Sequence, residues 1–470
     1  MRASLIAPLV AAGLLAGCTV GPNYHRPAIS SPAAFRAAPP APDGAPASLA
    51  DLKWFEVFKD ERLQELERTA LAQNYDLRDA AARVEAARAN LGITRSNQFP
   101  NVDASADIST IRFSRNGSTP LPASFVPSQN RTFGGATLGL LSFELDFWGR
   151  LRRATEAARA NLLGAEENRK AVMTTLVSEV AAAYFSLREL DDELEISQRT
   201  LTTRQESLEL IRNRQSGGVA TLLELRQGEQ LVYTATETIP TLQQQIEQTE
   251  NQISLLLGRN PGEVLRGRSL TEQEMPPEVP AGLPSALLER RPDIRAAEQN
   301  LIAANAEIGV AKAAYFPQIT LSGSLGGQGT QLSSLFSGPS AVWNFTPQVT
   351  QPIFTAGRLK SNVRFTQAQR DSALIQYEKA IQTAFTEVSN ALIAHQRVRE
   401  SRVQQELLVA ALQDRTRLAY VRYRGGVDTL LNALDSDRDL FQAELTLSQI
   451  RLNELDSVVQ LYKALGGGWQ

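Results

Sequence analysis

The sequence contains a helical stretch far longer than a compact globule can use. From Leu151 to about Arg214 there is no proline and a single glycine, Gly164. At 1.5 Å per residue these residues form a helix of roughly 95 Å, whereas helices in globular proteins average about 11 or 12 residues. A second proline-free stretch runs from Leu359 to Arg424. The chain is therefore expected to build long rods.

Apolar residues in the first stretch recur at alternating spacings of three and four, which is the pattern of a coiled-coil seam. The seam positions are Leu176, Val180, Ala183, Leu187, Leu190, Leu194, Leu201, Leu208 and Ile211. The seam of the second stretch is weaker, because His395 and Arg402 stand where the first has Leu187 and Leu194. We interpret His395 as a packing residue or as one partner of a helix–helix hydrogen bond, with a pH-sensing role as the alternative.

The two stretches belong to an internal duplication. An offset of 208 places Gly149-Arg150-Leu151 on Gly357-Arg358-Leu359, Glu179 on Glu387, and Gly217 to Leu223 on Gly425 to Leu431. An offset of 217 places Asp76, Arg78, Gly92, Phe99 and Pro100 on Asp293, Arg295, Gly309, Phe316 and Pro317. Each repeat reads as helix, strand, strand, very long helix, glycine turn and helix. The Gly-Gly pairs therefore predict the tips of two antiparallel helical hairpins.

Four segments alternate apolar and polar residues with period two, at about 101–111, 136–147, 318–326 and 342–354. This pattern is typical of a soluble sheet or of a barrel with lipid outside and water inside. Four strands cannot close a barrel, since about eight are the practical minimum. Closure therefore requires an oligomer, with eight strands from two copies or twelve from three.

The N-terminus predicts export and lipidation. Arg2 precedes a short apolar region that ends in Leu15-Ala16-Gly17-Cys18, so residues 1–17 are expected to be a signal peptide that is removed before an acylated Cys18. The alternative is a free thiol beside an ordinary cleavage site. Thr19 in place of an aspartate favours the outer membrane. Residues 18–59 are then a lipidated N-terminus and an extended, Pro/Ala-rich leader.

Several classes of function lack support in the sequence. The formal net charge is −3 without a basic block, which argues against nucleic-acid binding. Two histidines and one cysteine form no metal-ligating cluster, and no Ser–His–acid set is evident. We therefore expect no enzyme activity, and no cofactor other than the covalent lipid on Cys18.

Four segments resemble the TolC-like outer-membrane factors of tripartite efflux pumps, in the lipoprotein branch that serves resistance–nodulation–division transporters. They are CTVGPNYHRP at Cys18–Pro27, FWGRLR at Phe147–Arg152, LLERRPDIRAAE at Leu287–Glu298 and YRGGVDTLLNALDSDRDLF at Tyr423–Phe441. The resemblance extends from Cys18 to about Leu465.

The resemblance implies a mainly α fold with a small β part. Three chains would form a twelve-stranded β-barrel in the outer membrane and a twelve-helix α-barrel in the periplasm. The domain plan is then repeat 1 at 60–259, an equatorial linker at 260–284, repeat 2 at 285–466 and a tail at 467–470. The implied function is a passive, gated exit duct for small molecules. Its partners would be two further copies, a periplasmic membrane-fusion adaptor, the inner-membrane pump and outer-membrane lipid.

Two other interpretations stay open at this point. A type I protein-secretion duct shares the fold, and a structural coiled-coil lipoprotein with a soluble sheet would show the same periodicities. A duct predicts cation-selective conductance, because Asp103, Asp107, Glu144 and Asp146 would face its lumen.

The resemblance also assigns site residues. The adaptor would dock at the two hairpin tips, which comprise Gly217, Gly218, Val219 and Thr221 in repeat 1 and Gly425, Gly426, Val427 and Thr429 in repeat 2. Leu431 and Asp435 would form the inner gate, where a ring of three carboxylates could hold a cation. The alternatives are ordinary packing for Leu431 and a solvated helix charge for Asp435.

Overall fold

The computed structural model describes residues 19–29, 52–112, 130–274 and 284–469, together with leader positions 32, 34–36, 48 and 49. The chain divides into two compact units. The strand unit contains the residues up to Pro27 and the ranges Val84–Gly164 and Ala297–Gln376. The hairpin unit contains Ala28–Arg83, Ala165–Ala296 and Tyr377–Gln470. Both repeats therefore contribute to both units.

The elements of the described residues repeat as the sequence predicts. In chain order they are α1 (Trp54–Val57), α2 (Glu61–Gln73), α3 (Tyr75–Ser96), β1 (Val102–Arg112), β2 (Asn130–Glu144), α4 (Arg150–Ser216), α5 (Leu222–Leu256), α6 (Pro284–Arg290), α7 (Pro292–Ala313), β3 (Gln318–Gly329), β4 (Ala341–Thr350), α8 (Arg358–Arg424) and α9 (Leu430–Ala464). The series α3–β1–β2–α4–α5 returns as α7–β3–β4–α8–α9. Helices α4 and α8 have 67 residues each, which corresponds to about 100 Å.

The strand unit holds one antiparallel four-stranded sheet in the order β1-β2-β3-β4. Val102 lies opposite Leu140 at one end of the first pair, and Gln318 lies opposite Thr350 in the last pair. Within the described residues β1 and β4 each pair along one side only. Every residue of β4 is exposed, including Trp343. One chain therefore leaves two strand edges open.

The strand bounds differ from the predicted ones mainly where glycine is frequent. Strand β2 starts at Asn130 rather than about 136, and β3 continues to Gly329 rather than about 326. Glycine has no side chain, so Gly134, Gly135 and Gly327 break the alternation on which the prediction relied, although their backbones continue the ladder. Strand β2 also ends at Glu144 rather than 147, and β4 at Thr350 rather than 354.

Within the strand unit, the first leader residues contact the segments that lie next to the ends of the strands. The amide of Val20 donates to the carbonyl of Trp148 at 3.0 Å. The Trp148 ring stacks on Phe316 with centroids 4.7 Å apart. Arg26 forms a bidentate ion pair with Glu298 on α7, at 2.8 and 2.6 Å. The CTVGPNYHRP segment therefore packs against the protein from Thr19 onward.

The hairpin unit is centred on buried side chains of α4, among them Tyr184, Phe185 and Leu187. Asp60 caps α2 and also accepts hydrogen bonds from the Tyr184 hydroxyl at 2.9 Å and from the Arg268 amide at 3.0 Å. One carboxylate thus ties α2, α4 and the linker between the repeats together.

No helix among the described ranges has an apolar stretch that would suffice to cross a lipid bilayer.

Candidate functional site

The two hairpin turns have the same backbone geometry. In the first, the Val219 amide donates to the Arg214 carbonyl at 2.8 Å and the Gly218 amide to the Gln215 carbonyl at 3.0 Å. In the second, the corresponding bonds join Val427 to Arg422 and Gly426 to Tyr423, at 3.1 and 3.0 Å. These pairs of bonds define the Schellman motif that ends a helix.

The second glycine of each pair takes the left-handed conformation, with φ of +77° at Gly218 and +74° at Gly426. Within the two Gly-Gly pairs only these positions require glycine for conformational reasons, since Gly217 and Gly425 do not have positive φ. The predicted reversal is therefore present at both tips, and one glycine of each pair carries it.

The helices that leave the two turns start with different caps. Thr221 and Glu224 form a reciprocal capping box, with the Glu224 amide donating to the Thr221 hydroxyl at 3.2 Å and the Thr221 amide donating to the Glu224 carboxylate at 2.6 Å. The Thr429 side chain makes no cap bond. In its place Asp428 accepts from the Thr429 amide at 2.8 Å, from Asn432 at 2.7 Å and from Arg422 at 3.0 Å. The Arg422 guanidinium holds the pKa of Asp428 below its ordinary value.

A shared apolar cluster brings the two tips to one end of the hairpin unit. Its buried members come from α4, α8 and α9, and Leu225 and Leu231 of α5 pack against it. The buried members are Ile211, Ala419, Tyr423, Leu430, Ala433 and Leu434. The Arg214 guanidinium also lies 4.9 Å from the centre of the Tyr423 ring. The predicted docking residues of both repeats thus lie at the same end, and Val219 and Val427 are exposed there.

The two predicted gate residues lie on the first turns of α9. Leu431 is 51% exposed. Asp435 is half-buried, and its carboxylate lies 3.3 Å from the Arg438 guanidinium of the same helix. Arg438 was not predicted from the sequence to lie beside Asp435. The charge of Asp435 is partly balanced within one chain, which weakens the predicted mutual repulsion of a carboxylate ring.

A second polar pair, also not predicted from the sequence, lies close to the predicted gate residues. Arg204 of α4 and Asp437 of α9 are 3% and 8% exposed, and their side chains meet at 2.7 Å. Arg204 additionally donates to the Leu231 carbonyl at 3.1 Å and lies 4.9 Å from the centre of the Phe441 ring. Burial raises the pKa of Asp437, and Arg204 opposes that rise.

A signal for this pair was present in the sequence. Arg204 lies between Leu201 and Leu208 at spacings of three and four, so it occupies a position of the apolar seam. A charged residue on a seam must find a buried partner, because an isolated buried charge is costly.

His395 forms a hydrogen bond between two helices, which is one of the two roles predicted for it. Its Nδ1 atom lies 2.9 Å from the Ser457 hydroxyl of α9, which is a helix–helix hydrogen bond. The neighbouring seam residue Arg402 meets Glu454 of α9 at 2.6 Å. No group of three or more His, Cys, Asp or Glu side chains within the described ranges could hold a metal ion.

The predicted lumenal carboxylates differ in their surroundings. Glu144 accepts two hydrogen bonds from Arg150, at 2.8 and 2.6 Å, and Asp146 pairs with Arg152 at 3.4 Å. Asp103 and Asp107 lie instead over glycines of β2. Only the latter two are available to bias a lumen toward cations, so the predicted cation selectivity rests on fewer charges than the sequence alone indicates.

The predicted lipidation residue, Cys18, lies outside the described residues. Its neighbour Thr19 lies against Gly149, whose φ of +78° and proximity to Thr19 leave no room for a side chain.

The profile of the outer membrane efflux protein family matches residues 66–259 and 283–467. The toluene efflux pump outer membrane protein TtgC of Pseudomonas putida is 40% identical over all of this chain and 96% of its own length. The cation efflux system protein CusC of Escherichia coli is 34% identical over 98% of each chain. The open-state crystal structure of the Neisseria gonorrhoeae MtrE outer membrane channel is 33% identical, with a TM-score of 0.86, over 96% of this chain and 99% of that chain. The predicted fold class is confirmed.

Proposed function

Because the chain belongs to the outer membrane efflux protein family, we propose that it is the passive exit duct of a tripartite pump and that Leu431 and Asp435 form its gate. Membership in this family confirms the predicted outer-membrane location, the efflux function and the partnership with an adaptor and an inner-membrane pump. Proteins of this family are efflux ducts rather than enzymes. In the proposal the chain catalyses no reaction, and the inner-membrane partner supplies the energy.

The observation that carries the proposal is the open four-stranded sheet. Among the residues that the structure describes, strands β1 and β4 each expose one edge, and β4 exposes apolar residues such as Trp343 and Val349. An edge left open in this way is a template for another strand. A homotrimer supplies twelve strands, which is enough to close a barrel around a lumen. The exposed apolar side chains of β4 then face lipid.

The gate assignment rests on position and exposure. Leu431 and Asp435 follow the second tip by one and two helical turns, and both side chains reach the surface of one chain. In a trimer each becomes a ring of three. Pairing with Arg438, which also contacts Asp439 at 3.2 Å, reduces the repulsion within the carboxylate ring without removing it.

Conductance of the purified protein in planar bilayers tests both the duct and the gate. Asp435→Ala and Leu431→Ala should each raise the conductance, because each removes part of the constriction. The matched controls are Gln227→Ala and Leu223→Ala, the counterparts in the first repeat, which should leave conductance unchanged. Unaltered conductance after Asp435→Ala would remove this residue from the gate, and a protein that never conducts would overturn the duct itself.

We propose small molecules as the exported class. Two relatives are named for toluene and for cation efflux, which favours this class over the protein export of type I secretion. Expression of the chain in cells that lack their own duct should restore tolerance of toluene or of metal cations. Restored export of a protein toxin without any change in tolerance would favour the secretion alternative.

We also propose that Cys18 carries the lipid anchor. The support is the sequence pattern before Cys18 together with the bound course of the chain from Thr19 onward. Mass spectrometry of the mature N-terminal peptide should show acyl chains on Cys18, and Cys18→Ser should abolish them. An unmodified thiol in the wild-type peptide would contradict lipidation without affecting the duct proposal.

A further inference from the structure

The hairpin unit contains a cavity of about 600 Å³, open to the surface, between the start of α3 and the first half of α4, and its charged side chains are exposed. Three carboxylates line it, those of Asp76, Asp79 and Glu179, and so do two guanidinium groups, those of Arg83 and Arg169. Arg83 is paired with Asp79 at 2.7 Å. The remaining wall is mostly aliphatic. The lining therefore carries one negative charge in excess.

The equivalent place in the second repeat is filled by an arginine of the chain itself. Arg291 is 7% exposed, and its guanidinium contacts two carboxylates and one carbonyl. It donates to Asp293 at 2.9 and 2.6 Å, meets Glu387 of α8 at 2.6 Å and donates to the Ala464 carbonyl at 3.0 Å. These contacts give Arg291 and Asp293 of the LLERRPDIRAAE segment a structural role.

The internal repeat relates the two places residue by residue. The offset of 217 places Asn74 on Arg291 and Asp76 on Asp293, and the offset of 208 places Glu179 on Glu387. Asn74 keeps the carbonyl contact, since its amide donates at 2.9 Å to Leu256, the counterpart of Ala464.

Asn74 cannot take over the other contacts of Arg291. Its side chain is too short to bridge the two carboxylates and carries no charge. Within the described ranges, Asp76 and Glu179 have neither an ion pair nor a side-chain hydrogen bond. Two carboxylates that hold a guanidinium in one repeat thus face a cavity in the other.

We propose that this cavity binds a guanidinium group between Asp76 and Glu179, in the place that the Arg291 side chain fills in the second repeat. A guanidinium is planar and presents donors in a fork, which suits two carboxylates held apart better than a compact ammonium does. The aliphatic side chains of Ala80, Val172 and Leu176 fit the methylene part of such a ligand. The source is either a free alkylguanidinium compound or an arginine of a second copy of this chain.

Titration of the purified full-length protein in detergent with butylguanidinium tests the free ligand by calorimetry. We expect saturable binding, weakened about tenfold by Glu179→Gln or by Asp76→Asn, because each removes a charged partner of the ligand. Asn74→Arg should abolish binding, since the new side chain restores the contacts of Arg291 and fills the cavity. Butylammonium should bind more weakly than butylguanidinium.

Glu209→Gln on α4 is the matched control, because it removes one exposed carboxylate outside the cavity and should leave binding unchanged. Binding that persists in Glu179→Gln and in Asn74→Arg would be adventitious and would overturn the proposal.

If butylguanidinium does not bind to the wild-type protein, two explanations remain, and a second measurement separates them. If an arginine of a second copy occupies the cavity, Glu179→Gln and Asn74→Arg should both lower the temperature at which the oligomer dissociates, relative to Glu209→Gln. Absence of ligand binding together with unchanged oligomer stability would overturn the proposal. Neither measurement uses conductance, so the result is independent of the duct proposal.

Discussion

The first hairpin is held together by apolar packing at positions where the second uses polar pairs. On α4 the seam residues Leu187 and Leu208 are buried, and Leu208 packs against Gly228 of α5. Their counterparts on α8 are His395 and Thr416. His395 bonds to Ser457, and the Thr416 hydroxyl donates to the Ser436 carbonyl at 2.9 Å.

A third seam position shows the same replacement. Leu194 is matched by Arg402, and Ile246 of α5 is matched by Glu454 of α9. An aliphatic pair of positions in one repeat is therefore an ion pair in the other, with Arg402 and Glu454 2.6 Å apart. Helix length and turn geometry are equal in the two hairpins, so spacing sets the architecture and the contacts can differ. Apolar contacts are non-directional, whereas the polar pairs require defined orientations.

The largest expected effect comes from breaking the buried pair that joins the two hairpins. Arg204→Met leaves Asp437 buried without its partner, which should cost about 3–5 kcal/mol in the free energy of unfolding. Burial already raises the pKa of Asp437, so the folded state favours the protonated carboxyl and the loss should be smaller at pH 5 than at pH 8. Denaturant unfolding measures both effects.

Arg199→Met is the control for this change. Arg199 pairs with Glu444 at 2.8 Å but is exposed, so its replacement should cost less than about 1 kcal/mol. Equal losses for Arg199→Met and Arg204→Met would show that the buried pair has no special role.

Copying the first repeat into the second tests whether the polar pair is interchangeable with an apolar one. Arg402→Leu alone should destabilise the protein by about 2 kcal/mol, because Glu454 is 2% exposed and loses its cation. The double variant Arg402→Leu/Glu454→Ile should recover this loss, since two aliphatic side chains replace the pair. A double variant that is less stable than the single one would show that the second hairpin depends on the ion pair itself.

At one position the first repeat carries the buried charged residue and the second repeat does not. Glu189 of the first repeat is 3% exposed, whereas its counterpart Arg397 is paired with Glu400 at the surface. Burial raises the pKa of Glu189 to about 8, and the neighbouring Glu193 and Asp192 carboxylates add to this shift.

The folded state therefore holds a proton that the unfolded chain releases above its ordinary pKa of 4.5. Stability should fall as pH rises from that value to about 8, and Glu189→Gln should flatten this profile and stabilise the protein by about 1 kcal/mol at pH 8. Thermal midpoints across the pH range measure the slope, with Arg397→Gln as the control. A slope that survives in Glu189→Gln would assign it to another group.

The smallest expected effect separates the two tips. Thr221→Ala removes a capping box and should cost about 1 kcal/mol, whereas Thr429→Ala should cost close to nothing because that side chain makes no cap bond. Amide hydrogen exchange of the first turns of α5 and α9 detects such local losses. Faster exchange at α9 after Thr429→Ala would show that the described difference between the caps is not maintained in solution.

The lengths of the long helices and the positions of their turns were predictable, because proline, glycine and the three–four spacing are local signals. The glycine-rich start of β2 was not, since its residues have no side chains to alternate. The partners of buried charges were also beyond local patterns. Arg204 shows its importance by lying on the seam, but nothing near it in the sequence points to Asp437, which is 233 residues away.

The gate residues illustrate the same limit. Leu431 and Asp435 follow from a motif, and their place on α9 follows from the turn. The counter-charge of Arg438 on Asp435 depends on side-chain geometry rather than on periodicity, although the two residues are three apart. No local pattern around Asp76 indicates the cavity, because it lies where Asn74 stands in place of the arginine found at the equivalent position of the second repeat.

The unpaired edges of the sheet have a consequence for how the oligomer assembles. Within the described ranges, a single copy carries two rows of unpaired amide and carbonyl groups, along β1 and β4, which can pair with another extended chain. Pairing between copies of this chain then competes with pairing to other extended chains, and a high local concentration of the copies would favour pairing between them. Chaperones that cover the strand edges before assembly would favour the correct oligomer. Attachment to a membrane surface, which restricts diffusion to two dimensions, would have the same effect.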